Sequence, residues 1–219
     1  LAVTGPTATP ERVAAPAERQ AYWLNARAAW AIRLAAEAGF PRKVRPAAFT
    51  RRAFPLDGRR MSLAAIDRAL LAEARAAGDF RVAAVAPGVG VNCAPLPPKP
   101  YSPGDIEARQ AEAFRRLLRD EARVMLDYEN RRLLLPPMLW RVRDMVLAEY
   151  AERTGTTDVP LREALALHAG PLGDARLDEA IGYRAAAHPP RDELVLPRGK
   201  MFYPGWIGRG EPDFDPPEP

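Results

Sequence analysis

Val124-Met125-Leu126-Asp127-Tyr128-Glu129-Asn130-Arg131-Arg132-Leu133-Leu134-Leu135 is the stretch that sets the fold class. Val124, Leu126 and Tyr128 alternate with polar neighbours, and Leu133 and Leu135 resume the alternation beyond a polar turn at Glu129-Asn130-Arg131. Two period-two runs across a polar turn predict an antiparallel hairpin. The segments on either side have helical period instead. Upstream, Ser102-Pro103-Gly104-Asp105 reads as a capping box with proline at the first helical position. It opens a helix on Ile106, Phe114, Leu117 and Leu118. Downstream, Leu139, Val142, Val146 and Tyr150 carry a further helix to Gly155. The expected class is α+β: one helix-rich domain with a small antiparallel sheet.

The same reading extends to both ends. Pro16 suits the first turn of a long helix on Trp23, Trp30 and Leu34, stopped by Gly39 and Pro41. Ser62 caps a second helix on Leu63, Ile66, Leu70 and Ala74, closed by Gly78. The apolar run 80–86, ended by Pro87, reads as a buried strand. A proline cluster at Pro95, Pro97, Pro98 and Pro100 makes the next loop, and two short helices are expected over 160–169 and 174–181. Residues 1–15 and 188–219 are proline-rich and read as extended arms around a domain at 16–187.

Composition excludes several classes. The chain has 219 residues, of which one is Cys and two are His. That leaves no internal disulfide, no Cys-rich metal site and no His-based metal centre. No cofactor is expected, and no stretch approaches the roughly 18 apolar residues of a membrane span. The chain opens at Leu1, which fits a removed signal peptide or leader. Net charge is +4. The basic residues concentrate in a loop holding Arg42, Lys43, Arg45, Arg51, Arg52, Arg59 and Arg60, a patch for anions or an acidic protein surface. Without a nucleic-acid-binding motif or interleaved aromatics, nucleic acid is the weaker reading. Near the other end, Phe202, Tyr203, Trp206 and Ile207 crowd large apolar side chains together without helix or strand period, which suits a partner-binding anchor.

Four segments together resemble the DUF-547 family, domain of unknown function 547. They are Tyr22-Trp23-Leu24-Asn25 with Ala31-Ile32-Arg33-Leu34; Asp57-Gly58 with Met61-Ser62-Leu63 and Ile66-Asp67; Asp79-Phe80-Arg81-Val82 leading to Cys93-Ala94-Pro95-Leu96; and Tyr101 with the 106–118 helix, Leu126, Leu133 and Trp140. The resemblance covers about residues 22–140 and implies a periplasmic, secreted or envelope location for a bacterial member. This chain departs from the family where chemistry would sit. The family's His positions are Arg68 and Ala83 here, another of its Cys positions is Gly88, and its second helix Asn is Ala28.

Cys93 follows the expected strand in a Gly/Pro-rich loop, where a nucleophile is easily presented. A thiol enzyme also needs a base, and no His lies nearby in sequence. Cys93 therefore reads first as a small packing residue, buried and more than about 6 Å from both His168 and His188, beyond direct proton transfer. Asn25, which could orient an imidazole, reads first as a partner of loop backbone. The favoured function is a non-catalytic binding or assembly protein, a degenerate family member at the periphery of an envelope complex with a protein partner. The alternative is a thiol-dependent hydrolase or acyl transferase using Cys93 and Asn25.

Overall fold

The computed structural model describes residues 2–39, 51–90 and 93–189. Basic residues 42, 43 and 45 and the aromatic cluster at 202–207 lie outside them. Helix α1, Pro16–Glu37, begins as its sequence directs. Pro16 occupies the first position and the Glu18 carboxylate accepts the Ala15 N–H at 3.0 Å. The first hairpin is β1, Ala53–Leu56, and β2, Arg59–Ser62. Helix α2, Leu63–Ala77, starts where Ser62 Oγ accepts the Ala65 N–H and stops at left-handed Gly78. A four-residue turn of helix, α3, spans Arg81–Ala84. Helix α4 is Ile106–Arg119, and the second hairpin joins β3, Met125–Asp127, to β4, Arg132–Leu135. Helices α5, Pro137–Arg141, α6, Arg143–Thr154, and α7, Leu161–Glu179, lead to β5, Arg184–Ala187.

The class is α+β, as the hairpin and its flanking helices imply. α1 packs on α2 and α4 on α7. One apolar cluster unites them, with Leu24, Ile66, Leu70, Phe80, Phe114, Leu117 and Leu139 all essentially sealed from water. Each such side chain contributes about 1.5–3 kcal/mol on burial. A buried amide pair ties the halves: Gln110 on α4 donates through Nε2 to Gln20 Oε1 on α1 at 3.1 Å.

Several expectations need correction. The run 80–86 is not a strand. Its residues from Val82 to Ala86 are uniformly buried, so no alternation distinguishes strand from helix, and alanine favours the helical turn. Asp79 Oδ1 accepts the Arg81 N–H at 2.9 Å and starts that turn. Pro87, just past the run, bridges to Ala94. Residues 53–60, expected as part of a basic loop over 41–60, belong instead to a hairpin that runs on to Ser62. Asp57 and Gly58, with φ of 54° and 72°, supply the two left-handed positions of a type I′ turn. The 102–105 box closes a turn, and the helix itself starts at Ile106. The downstream helix breaks at Val142, and α7 breaks at Gly170 before Pro171. The second sheet is mixed, because β5 lies parallel to β4.

The amino-terminal arm lies on its own domain. Asp57 Oδ1 accepts the Thr7 and Ala8 N–H groups at 2.7 and 2.8 Å, and Gly58 N–H donates to Ala2 O at 2.9 Å. Tyr22 donates to Thr4 O at 2.8 Å, while burial and then the Asp57 charge push its phenol up to about 12.

Candidate functional site

Two side chains of α1 hold the ends of the loop that carries Cys93. Asn25 donates through Nδ2 to Tyr101 O and accepts the Tyr101 N–H at Oδ1, both at 2.8 Å. That reciprocal pair imitates a strand ladder and spends the amide on structure. Arg27, buried to 5% exposure, reaches in the other direction. Its Nε donates to Asp67 Oδ1 on α2 at 2.5 Å, Nη1 donates to Pro87 O, and Nη2 lies 3.8 Å from Cys93 Sγ. Burial opposes the guanidinium charge, but Asp67 and then Cys93 outweigh it and its pKa is raised. The cation is permanent.

Gly88 permits this approach. A Cβ there would fall 2.7 Å from both Arg27 Nη1 and Cys93 Sγ. The loop closes through Gly88 N–H to Ala94 O and Cys93 N–H to Gly90 O, each at 3.0 Å. Arg123, itself paired with Asp120, donates through Nε to Cys93 O at 2.7 Å. Cys93 is half-buried rather than buried, with its sulfur lying against Arg27 and Gly88.

No protein-family model, curated protein or solved structure matches the chain.

Each histidine has contacts of its own. His188 Nε2 donates to Arg123 O at 2.6 Å, on the far end of the arginine that holds the Cys93 carbonyl. His168 packs edge-on against Phe80 and Phe114 with ring centres 5.2 and 5.7 Å away, and its Nε2 lies 3.9 Å from Glu149. Burial holds its pKa below the usual value, against the pull of Glu149. Among the described residues, the hydrogen-bond partner of the thiol is Arg27, which cannot take or return a proton. Arg68 is exposed, Arg81 forks onto Asp79, and Ala83 is sealed in the core.

The basic loop is only partly a free patch. Arg52 pairs with Glu37 at 2.8 Å and Arg60 donates to Ala53 O at 3.0 Å, while Arg51 and Arg59 are exposed. Among the described residues there is no cluster of three acidic, His or Cys side chains to hold a metal, and no helix long and apolar enough to cross a membrane.

Sequence reading missed Arg27. Its one signal is a charge set inside the buried run Trp23, Leu24, Ala26, Ala28, Trp30 of α1, a place where an arginine must find a partner. It also missed the outer side of the proline loop. There, Pro95, Leu96 and Pro98 face Ala108, Ala113 and Arg116 of α4 across a groove of about 230 Å³ with Tyr101 at its base.

Proposed function

We propose that this chain is a non-catalytic binding protein, a peripheral subunit of a larger assembly, and, following the DUF-547 resemblance, one that works in the bacterial envelope. The observation that carries the reading is the use of Asn25. Both halves of its amide are bonded to Tyr101 backbone, so the residue best suited to orient a catalytic imidazole serves to hold out a proline-rich loop. The Arg27 fork does the same at the Cys93 end. A loop braced at both ends is a surface preorganised for contact, which lowers the ordering cost of binding.

A second reading rests on the 3.8 Å approach of Arg27 to the Cys93 sulfur, since a neighbouring cation is one half of what an active thiol needs. One experiment separates the two. The protein and its Cys93→Ser variant are purified natively, their assemblies weighed by native mass spectrometry, and the alkylation rate of Cys93 by iodoacetamide measured at pH 7. The binding reading expects a stoichiometric partner chain retained by the variant and a rate within about threefold of glutathione. A lone monomer, or alkylation more than tenfold faster with loss of an associated turnover in the variant, refutes it.

A further inference from the structure

The groove outside the proline loop has the features of a peptide seat. Its volume, about 230 Å³, falls below the roughly 300–1,000 Å³ of small-molecule sites, enough for one side chain and the backbone beside it. One wall is Pro95, Leu96 and Pro98, and the other is α4 at Ala108 and Ala113. Asn25 and Arg109 fix the wall in advance: Arg109 donates to Pro100 O and Lys99 O and lies over the Tyr101 ring at 4.7 Å.

Two polar features border this apolar slot. Tyr101 lines the groove and is 5% exposed, and its hydroxyl makes no hydrogen bond among the described residues. The hydroxyl also lies within the fields of Arg109 and Arg116, which oppose the upward push of burial on the phenol. Of the charged side chains that line the groove, Arg109 and Arg116 outnumber Glu112, and Glu112 is already bonded by both Arg115 and Arg116 at 2.9 Å. The rim is therefore complementary to negative charge.

We infer that this groove seats an extended acidic segment of a partner protein, one apolar side chain lying between the prolines and α4 and a carboxylate meeting Arg116 and the Tyr101 hydroxyl. The inference rests on the binding reading and gives it a partner chemistry. A proline within such an extended segment limits the backbone freedom it loses on docking.

The test uses the full chain and a fluorescein-labelled peptide, Glu-Phe-Asp-Pro-Phe-Glu, followed by anisotropy at 50 mM salt. Saturable binding is expected, weakened about tenfold or more by Arg116→Glu and about threefold by Tyr101→Phe. Ala108 is exposed and outside the core, so Ala108→Trp fills the groove without disturbing the fold and should abolish binding. The same peptide with lysine in place of each acidic residue should not bind. Absence of saturation by 1 mM, equal binding of the lysine peptide, or unchanged binding to Ala108→Trp overturns the inference. So does a dimer of this chain that the peptide disperses, because a second copy would then own the groove. Ala108→Trp is also weighed in the native assembly. Loss of the partner supports the inference, whereas loss of the peptide with the assembly intact overturns it and leaves the binding reading standing.

Discussion

Replacing Arg27 by methionine should be among the costliest single changes in the molecule. The side chain is 5% exposed and makes three contacts, with Asp67, Pro87 O and Cys93 Sγ. Removing one member of a buried ion pair costs about 3–5 kcal/mol. Asp67 keeps 15% side-chain exposure, so water recovers part of that and the lower end applies. The stranded Pro87 carbonyl adds about 1–3 kcal/mol. A total near 4 kcal/mol is a large share of the roughly 5–15 kcal/mol that stabilises an ordinary domain. The pair also has a signature that mere loss of packing lacks. In Arg27→Met with Asp67→Leu the unpaired carboxylate is gone, and the double variant should recover about 2–3 kcal/mol against the sum of the two single ones. Urea unfolding at pH 7, followed by far-ultraviolet circular dichroism with the slope held common, measures all four corners of the cycle. A loss below about 1 kcal/mol for Arg27→Met, or no coupling with Asp67, refutes the view that this arginine braces the Cys93 loop.

Two further outcomes are expected. Asp57→Ala should release the amino-terminal arm, since one carboxylate oxygen takes both the Thr7 and Ala8 N–H groups; hydrogen exchange at those two amides should quicken about tenfold or more, and unchanged protection would show that the arm is held by other contacts. His168 is held below its ordinary value of 6.5 by burial, with Arg153 and Arg81 adding to the shift and Glu149 and Asp79 opposing it. The unfolded chain then binds the extra proton first, so this residue's contribution is full above about pH 6.5 and is lost as pH falls toward the lower folded value. Stability of His168→Phe should depend less on pH below 6.5 than that of the natural chain, and parallel curves in thermal unfolding would refute the assignment.

The helices were legible because their signals are local. Pro16, Ser62, Gly78 and Gly155 mark starts and stops by backbone chemistry that acts within a turn, and the 124–135 alternation needs only its own polar turn. The Asp57-Gly58 turn was legible by the same logic, yet the surrounding arginines masked the short alternation Phe54, Leu56 and Met61 that the hairpin buries. The 80–86 run had no local answer, because uniformly buried small residues suit helix and strand alike until neighbours choose.

What the amino-acid sequence determined on its own was the α+β class, most helix boundaries and the second hairpin, all decided by periods and caps within a few residues. What only the tertiary structure decided was which groups meet. Arg27 finds Asp67 40 positions away and Cys93 66 positions away, Asn25 finds Tyr101 76 positions away, and β5 finds β4 across three helices. Those encounters depend on how α1 and α2 pack, and the burial of an arginine is tolerable only once that packing delivers a carboxylate to it.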